Sequence, residues 1–300
     1  MDAAPPPLTF AIVACFLDEE AHLPRFLASV AAQTRRPDRL VLVDDGSSDA
    51  SAGIAEAFAA RHPYATVLRR PRRPATRDRL ARAPELQAFT WAVGALDGTY
   101  DVIAKVDADL ELAPGAIAGL EAAFGAEPEL GLAGVELHSV GPDGVLRREH
   151  VPSFHVRGAT KFYRRACLEQ ISPIPAILGW DTIDEVHARR VGWTTRSLAL
   201  DGPPTLHLRP PGAHDGVGRG FRRWGECAWA YGADPLAVLA GGVHRMRRRP
   251  YVLGGLNYIA GWGLAAARRL PRADPHVRAF CREEQRLRMR RAVSSRLGTA

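Results

Sequence analysis

The chain has 300 residues, of which 46% are hydrophobic and 24% charged, a composition that excludes disordered and fibrous proteins and is typical of a folded globular protein. Lys and Arg number 40 and Asp and Glu 33, giving a formal net charge of +7. The charge is uneven, because residues 244–300 hold 14 Arg against three acidic residues, a net of +11. Residues 1–243 therefore hold 26 basic and 30 acidic residues, a net of −4, so the basic charge is expected to meet its partner at the C-terminal end.

The cysteines and the first residues predict a compartment. The four cysteines lie far apart with no paired spacing, which excludes a zinc ribbon and argues against a disulfide framework. They are Cys15, Cys167, Cys227 and Cys281. A reducing compartment is therefore expected. The first seven residues, MDAAPPP, show neither the basic nor the apolar part of a secretory signal, so a cytoplasmic catalytic part is expected.

The hydrophobic pattern predicts strands and helices in alternation over the first third of the chain. An apolar, branched run predicts a first strand at 8–15, followed by a helix that begins near Asp18, a good N-cap residue with Glu19 and Glu20 behind it. The elements that follow are a strand at 39–43, a helix around 54–58, a short strand at 65–68, a helix at 84–96 and a strand at 101–106. Strands that alternate with helices predict an α/β fold with a mostly parallel sheet covered on both faces.

Past Asp109 this regular alternation ends. The pattern predicts a helix at 114–125, a strand at 131–138 and a turn at 141–144 between two extended segments. A mixed sheet with a hairpin is therefore expected in this part of the chain.

The chain is expected to fall into two parts. A catalytic domain is predicted at 1–215, and a C-terminal region that is helical, glycine-rich and basic at 216–300. The longest apolar run, 251–267, contains Asn257 and four glycines. It is shorter than the roughly 20 residues that span a bilayer, so we expect an interfacial or core helix.

Three of the predicted strands end in polar residues. In an open parallel sheet, ligands bind beyond the carboxyl ends of the strands. Here those ends read CFLDE at 15–19, DDGS at 44–47 and DAD at 107–109, with neither a G-x-G-x-x-G nor a P-loop. Acidic strand ends repel a bare phosphate, so a nucleotide needs a divalent cation, and Asp-x-Asp suits magnesium or manganese bridging a diphosphate. The alternative for this tripeptide is a turn with solvated acids.

The sequence resembles the family 2 glycosyltransferases, whose nucleotide-sugar-binding fold is called GT-A. The resemblance rests on residues 9–62, on IAKVDADL at 103–110 and on GWDTIDEVHARRVGW at 179–193, in this order and spacing. Two departures are Cys15, where the family usually has proline, and Asp18, where it usually has asparagine. Both are expected to be tolerated, because that segment contacts the base largely through its backbone.

The resemblance implies a nucleotide-sugar site at the strand ends. The backbone of Phe16 and Leu17, together with Glu19, would line the base pocket. Asp44 would hydrogen-bond the pyrimidine ring, and Asp107 would hold the ribose or the sugar.

The resemblance also implies a metal site. Asp109 would ligate a divalent metal, manganese or magnesium, on the diphosphate. His207 would be a further metal or phosphate contact, or else a packed histidine. Asp45 would either contact the nucleotide or cap the following turn. Lys105 would either reach the diphosphate or extend to solvent from an edge strand.

Transfer of a sugar with inversion needs a carboxylate that takes the proton of the acceptor hydroxyl as that hydroxyl attacks the anomeric carbon. Counting back from Gly192, Asp181 occupies the position of the family's catalytic aspartate, although Trp180 stands where the family has the glutamate of a Glu-Asp pair. Asp184 and Glu185 follow at i+3 and i+4 on the same helix face and are alternative bases. The remaining possibility is that all three are solvated acids at a helix start.

The acceptor is expected to be a hydroxyl compound, with a lipid-linked glycan as one candidate. Arg157 and Gly158 follow the predicted hairpin, where a glycine would let the acceptor approach the backbone closely. Lys161, Arg164 and Arg165 would face a phosphate on the acceptor or would be solvated helix charges.

The C-terminal region has two interpretations. Arginines flank 251–267 on both sides, and Tyr251, Tyr258 and Trp262 lie within it. Aromatics beside arginines suit the headgroup level of an anionic membrane surface, which predicts a peripheral protein on the cytoplasmic face. The other interpretation is a core helix with solvated arginines.

Together with these features, the resemblance implies an inverting, metal-dependent, hexosyltransferase-like enzyme that uses a UDP-sugar or another nucleotide diphosphate sugar in cell-surface, exopolysaccharide or lipid-linked glycan synthesis. A sugar nucleotidyltransferase is the enzymatic alternative, but that class carries a Gly- and Arg-rich phosphate loop after its first strand, and CFLDEEAH lacks one. Nucleic-acid binding through the basic tail is the non-enzymatic alternative. The tail shows no recognisable DNA- or RNA-binding module, so no nucleic-acid partner is expected.

Overall fold

The computed structural model describes residues 7–72, 78, 80–98, 100–141, 143–209, 217–247 and 250–297. The chain divides into two compact units. The sheet unit comprises 1–79, 84–172 and 191–210, and the helical unit comprises 80–83, 173–190 and 211–300. The segment that carries the predicted base belongs to the helical unit. The division into a catalytic domain at 1–215 and a C-terminal region at 216–300 stays a prediction.

Eleven strands are found in the described part of the sheet unit. They are β1 Phe10–Phe16, β2 Arg39–Asp44, β3 Ala65–Arg69, β4 Val102–Asp107, β5 Leu110–Glu111, β6 Leu130–Val135, β7 Leu137–Val140, β8 Leu146–Arg148, β9 Thr160–Arg164, β10 Thr194–Leu198 and β11 Thr205–His207. Seven strands form one sheet in the order β10-β6-β9-β4-β1-β2-β3. Only β9 runs antiparallel to its neighbours there, β4 and β6. The mostly parallel sheet predicted from the sequence is confirmed.

Helices cover this sheet. They are α1 Leu23–Ala31, α2 Ser51–Ala59, α3 Pro84–Ala95, α4 Ala116–Ala126 and α5 Arg165–Ile171. β1 and β4 are buried along nearly their whole length, as expected of parallel strands with helices on both faces. α1 contributes Leu23, Phe26 and Val30 to the core, at the spacing of one helix face.

The predicted start of the first helix is wrong. α1 begins at Leu23 after His22, which makes no side-chain cap. Asp18 instead adopts a left-handed backbone conformation, with φ +52°, which asparagine and aspartate tolerate better than other side chains. There its carboxylate accepts the backbone N–H of Ser48 at 2.7 Å, and this contact ties the segment after β1 to the segment after β2.

β9 inserts between β4 and β6 and makes β4 an interior strand. In this pairing Lys105 lies opposite Lys161, and these are the only two lysines of the sequence. Both are buried. The expectation that Lys105 extends to solvent from an edge strand is therefore wrong, as is the expectation that Lys161 is a solvated helix charge.

A second, four-stranded sheet has the order β5-β11-β7-β8. β5 follows directly on the segment 107–109, and β11 pairs with it so that His207 lies opposite Leu110. The backbone N–H of Leu208 also donates to the carbonyl of Asp109 at 2.8 Å. This pairing places β11 and the residue after it, which come late in the sequence of the sheet unit, beside the Asp-x-Asp segment at 107–109.

The described helices of the helical unit are α6 Trp180–Arg190, α7 Val217–Ala230, α8 Pro235–Arg245, α9 Leu253–Ala267 and α10 Pro275–Leu297. α7 and α9 approach very closely through glycines: a Cβ on Gly225 would collide with the carbonyl oxygen of Tyr258, and a Cβ on Gly261 with that of Arg222. α6 and α10 share a small apolar core around Ile183. None of the helices in the described part of the chain is both long and apolar enough to cross a membrane.

The apolar segment 251–267 forms α9, but its aromatic residues do not all face solvent. Tyr258 is buried and Trp262 is half-buried, and both belong to the core formed with Val238. Tyr251 is exposed. The predicted placement of Tyr258 and Trp262 at a headgroup level is therefore wrong.

Candidate active site

Strand register places the predicted nucleotide residues together at the carboxyl ends of neighbouring strands. β1 lies between β2 and β4, and Phe16 pairs with Asp44 while Cys15 pairs with Asp107. The segments that follow these strands therefore emerge side by side. Leu17 and Glu19 lie in the first of them, and the backbone N–H of Asp18 between them donates to the hydroxyl of Ser47 in the Asp44 loop at 3.0 Å.

The turn after β2 is held by Asp44. One oxygen of its buried carboxylate accepts the backbone N–H of Ser47 at 2.7 Å and that of Gly46 at 3.2 Å. Gly46 has φ +89°, and a Cβ there would collide with the backbone of Arg72. The cap that the sequence offered as an alternative for Asp45 is therefore made by Asp44.

Asp45 is engaged by an arginine instead. Its carboxylate accepts from Arg70 at 2.8 Å, and both side chains are largely buried. The Arg70 guanidinium also lies over the ring of Trp91, 5.5 Å from the ring centroid. Arg70 could not be predicted from the sequence, because nothing in the spacing after β3 distinguishes it from the arginines around it.

Lys105 joins two predicted parts of the site. Only 2% of its side chain is exposed, and its ammonium group donates to the carboxylate of Asp107 and, at 2.9 Å, to the carbonyl of Gly158. Burial alone would lower the pKa of Lys105, but the carboxylates of Asp107 and Glu85 raise it above its usual range. Lys105 therefore stays charged and fixes Asp107 relative to the 157–159 segment.

Asp109 and His207 meet beyond the end of β4. His207 Nε2 lies 3.8 Å from Asp109 Oδ2, and both side chains are 13% exposed. The other ring nitrogen of His207, Nδ1, lies 2.9 Å from a carboxylate oxygen of Glu149. Because a carboxylate only accepts, Nδ1 donates, and in the neutral ring Nε2 presents its lone pair.

These two side chains fit a divalent cation. Asp109 Oδ1 is buried and makes no hydrogen bond to a described group, and a histidine oriented by a carboxylate through Nδ1 is the usual arrangement of a metal-ligating imidazole. Burial and the neighbouring Asp107 raise the pKa of Asp109, and a cation would relieve both costs. Among the described residues, no three His, Cys, Asp or Glu side chains form a metal site by themselves. Any such ion would therefore take its remaining ligands from elsewhere.

Arg209 binds Glu19, the residue predicted to line the base pocket. Its terminal nitrogen lies 2.7 and 2.6 Å from the two oxygens of Glu19, and a second nitrogen lies 3.9 Å from Asp109 Oδ2. Glu19 is therefore part of an ion pair that reaches toward the Asp109 and His207 pair. Neither Arg209 nor Glu149 was found from the sequence, since each lies in a loop far along the chain from its partner.

The residues predicted to border the acceptor belong to the same network. Arg157 donates to Glu149, the carboxylate that orients His207, and Gly158 gives its carbonyl to Lys105. Burial would raise the pKa of Glu149, but His207 and Arg157 lower it below its usual range. Of the other two basic candidates here, Arg164 bonds to backbone carbonyls of the sheet unit, and Arg165 is exposed beside Glu169.

The three acids of α6 occupy different environments. Asp181 lies in the first turn and is half-buried, after Gly179, whose φ of +80° suits a glycine. Asp184 and Glu185 are each only 1% exposed. Glu185 lies 3.6 Å from Arg189, which also binds Glu284 of α10, so this carboxylate serves the interior of the helical unit.

Solved structures share this fold. The mannosyltransferase PcManGT from Pyrobaculum calidifontis, in complex with GDP-Man and Mn2+, aligns over 89% of this chain and 78% of its own, with a TM-score of 0.55 and 16% identity. TarS 1-349 of S. aureus, in complex with UDP-GlcNAc, aligns over 74% and 66%, with a TM-score of 0.52 and 18% identity. At these identities the likeness shows the fold alone, and it confirms the GT-A fold.

Sequence comparison places the chain in a family. The PGL/p-HBAD biosynthesis glycosyltransferase of Mycobacterium bovis (strain BCG / Pasteur 1173P2) is 36% identical over 103 residues, which are 33% of this chain. The match spans 40% of that relative's own length. The family described as Glycosyl transferase family 2 matches residues 11–172, more than half of the chain. The chain therefore belongs to glycosyl transferase family 2.

Proposed function

We propose that the protein is an inverting, metal-dependent glycosyltransferase that moves a sugar from a nucleotide diphosphate sugar, a UDP-sugar, to a hydroxyl acceptor. The observation that carries this proposal is the pair of Asp109 and His207 beyond β4, in which Asp109 keeps a buried oxygen without a hydrogen bond to a described group. Family membership supports sugar transfer. The complexes of structural neighbours with GDP-Man and UDP-GlcNAc support a nucleotide-sugar donor.

Asp109 and His207 are the proposed metal ligands, and the donor's diphosphate would complete the coordination. A carboxylate suits magnesium and manganese, whereas an imidazole nitrogen favours a transition metal, so this donor pair favours manganese. A bound cation would neutralise the charge of the diphosphate leaving group. Glu149 holds the His207 ring in the orientation that leaves Nε2 available.

The donor is proposed to lie over the ends of β1, β2 and β4. Phe16, Leu17 and Glu19 would line the base pocket. Asp44 would bind the pyrimidine, with the Asp45–Arg70 pair packed beside it. Asp107 would bind the ribose or sugar. The buried ammonium group of Lys105 donates to the Asp107 carboxylate and holds it in place.

Asp181 is the proposed base. It would accept the proton of the acceptor hydroxyl while that oxygen bonds to the anomeric carbon and the bond from this carbon to the diphosphate breaks. Attack opposite the leaving group inverts the configuration of the sugar. The support is that Asp181 is half-buried in the first turn of α6, whereas Asp184 and Glu185 are buried.

The acceptor is proposed to be a hydroxyl group in cell-surface, exopolysaccharide or lipid-linked glycan synthesis. The support is the mycobacterial relative, whose name assigns it to PGL/p-HBAD biosynthesis. We propose that the reaction takes place in the cytoplasm, a reducing compartment, and the wide, unpaired spacing of the four cysteines along the sequence supports this. Arg157 and Gly158 are proposed to border the acceptor.

The proposal is tested by incubating the protein with a panel of UDP- and GDP-sugars and quantifying the nucleotide released. We expect hydrolysis of one donor that requires manganese and is abolished by EDTA and by Asp109→Asn. Glu136→Gln, in an exposed ion pair with Arg148, is the matched control and should be unaffected. Release of no nucleotide from any donor would refute sugar transfer, and an equal rate in EDTA would refute metal dependence.

A further inference from the structure

α9 exposes a stripe of apolar side chains. Its glycine-containing faces pack against α7 and α8, and the remaining face carries residues at positions i, i+3, i+7 and i+11, which lie along one side of a helix. These exposed residues are Leu253, Leu256, Ala260 and Leu264. Three of them are leucines about half exposed, which is unusual for a helix that is packed on its other sides.

α8 exposes a second apolar stripe. Leu236, Leu239 and Val243 are spaced three and four residues apart and are at least half exposed. Val238 and Gly242, on the other side of the helix, are buried. The helix therefore buries the face that carries Val238 and Gly242 and exposes the face that carries Leu236, Leu239 and Val243.

The two stripes lie on the same side of the α8–α9 pair. Met246 meets Gly255, and Gly242 meets both Gly255 and Ile259, so the helices run antiparallel. Right-handed helices that run in opposite directions turn in opposite senses when viewed along one axis. The residues that follow the two contact glycines, Val243 and Leu256, therefore project to the same side.

The residues at the start of α9 and just before it add exposed apolar side chains. Tyr251 and Val252, directly before α9, and Leu253, its first residue, are exposed and are called the tip. The two stripes and the exposed residues just before α9 together form the apolar surface that we call the hairpin face. It includes Leu236, Leu239, Val243, Tyr251, Val252, Leu253 and Leu256.

The charged side chains of the segment that forms the hairpin face have one sign. Residues 235–273 contain seven arginines and neither Asp nor Glu. Arg247 is exposed beside the tip, and Arg268 and Arg269 are exposed at the far end of α9. A surface of aliphatic side chains whose own segment carries arginines and no carboxylates is complementary to a layer with acyl chains inside and anionic groups outside.

We propose that the hairpin face docks on the surface of an anionic phospholipid bilayer. Aliphatic side chains would enter the boundary between headgroups and acyl chains, Tyr251 would lie at the headgroups, and the arginines would bind lipid phosphates. Nucleic acid fits less well, because single strands stack on aromatic rings and this face is mostly leucine and valine. A second copy also fits less well, because a two-fold contact would bring arginines together without any carboxylate in 235–273.

This docking does not rest on the proposed sugar transfer, because none of its residues belongs to the candidate active site. It is tested with the full chain by co-sedimentation with phosphatidylcholine vesicles that either contain or lack phosphatidylglycerol. We expect binding only to the anionic vesicles and a loss of that binding as salt is raised, since screening weakens the attraction of surface charges.

Two variants separate the apolar and the charged contributions. Leu239→Gln combined with Leu256→Gln should lower vesicle affinity roughly tenfold or more, because docking no longer removes the apolar surface of two half-exposed leucines from water. Arg268→Gln combined with Arg269→Gln should lower it by a similar factor, at about 1 kcal/mol per basic residue. Val145→Gln with Leu146→Gln, an exposed apolar pair in the sheet unit, is the matched control and should bind as the unmodified chain does.

Three outcomes would overturn the proposal. The first is that the unmodified chain does not bind anionic vesicles at low salt. The second is that the control variant, Val145→Gln with Leu146→Gln, loses as much binding as the leucine variant. The third is that the leucine variant converts a dimer to a monomer in light scattering but binds vesicles as the unmodified chain does. Circular dichroism and UDP binding verify that each variant is folded. Donor hydrolysis, which needs no membrane, is measured in parallel, so that failure of docking and failure of the proposed sugar transfer are distinguished.

Discussion

The imidazole Nδ1 of His207 lies 2.9 Å from a carboxylate oxygen of Glu149, and this contact fixes the ring so that Nε2 faces Asp109. Glu149 follows β8, and His207 ends β11, so two strands of the small sheet hold this geometry. Glu149 is therefore a positioning residue of the candidate metal site.

Glu149→Ala should weaken manganese affinity by about 10- to 100-fold, the usual effect of removing the partner that orients a ligating histidine. Calorimetry with manganese in the presence of UDP measures it. The double variant Glu149→Ala with His207→Ala should bind no more weakly than His207→Ala alone, because Glu149 acts through the ring. Additive losses would show that Glu149 does not act through His207.

Asp109→Asn should change metal dependence without harming the fold. The Asp109 carboxylate is buried beside Asp107, a position that disfavours its charge. Without metal, the neutral amide should therefore melt at the same temperature as the unmodified chain or higher. With manganese and UDP, only the unmodified chain should gain stability, by ligand linkage. Equal gains in both proteins would remove Asp109 from the metal site.

Asp181→Asn should retain UDP binding and lower sugar transfer by roughly 10²- to 10⁴-fold, the usual contribution of a positioned general base. Single-turnover transfer and UDP calorimetry separate the two properties. Asp184→Asn, on the same helix but buried, should lower stability more than transfer. If the two substitutions exchange these effects, the base is Asp184, one helical turn further on.

Lys105→Met should lower the free energy of unfolding by about 2 to 4 kcal/mol, because breaking a buried ion pair leaves polar groups unmatched. The lower part of that range is expected, since Asp107 is 33% exposed and water replaces part of the contact. Arg39→Met is the matched control: its pair with Asp97 is exposed, so it should cost about 0.5 kcal/mol or less. Urea unfolding compares them, and equal losses would contradict the role of burial.

Asp234 should make the helical unit sensitive to acid. Burial would raise its pKa, but hydrogen bonds from Arg286 and from the backbone N–H of Leu236, which it caps, lower that pKa below the usual value. A lowered folded-state pKa contributes stability that is present above about pH 4 and is lost as pH falls through the folded-state value. The stability difference between the unmodified chain and Asp234→Asn should therefore shrink below about pH 4. A constant difference from pH 6 to pH 3 would contradict this.

The sheet could be predicted from the sequence because its strands are continuous apolar runs, and 107–109 could be placed because it follows one of them directly. The position of Lys105 could not, because β9 joins the sheet from more than 50 residues along the chain and converts an apparent edge into an interior. The sequence suggests the turn cap for Asp45 and not for Asp44, which makes it, for a local reason. Which of two adjacent carboxylates faces a turn depends on the pleat of β2, and composition carries no signal of it.

Partners that come from distant loops could not be predicted either, because, like the insertion of β9, they depend on tertiary pairing between distant segments. Glu149 and Arg209 contact the candidate site through tertiary pairing alone, and an isolated Glu or Arg in a loop has no periodicity to mark it. Asp18 was misplaced because a helix cap and a left-handed turn favour the same residue types. Tyr258 and Trp262 were misplaced because burial on α9 follows the glycine faces rather than the aromatic content.

The burial of Lys105 and Lys161 leaves the folded protein without an accessible side-chain amine. The other 38 basic residues are all arginines, whose guanidinium groups do not react with amine-directed esters. Acylating labels, amine cross-linkers and enzymatic lysine acetylation will therefore find no lysine target in the folded state. Modification of Lys105 becomes a direct report that the interior of the sheet beneath the candidate site has opened to solvent.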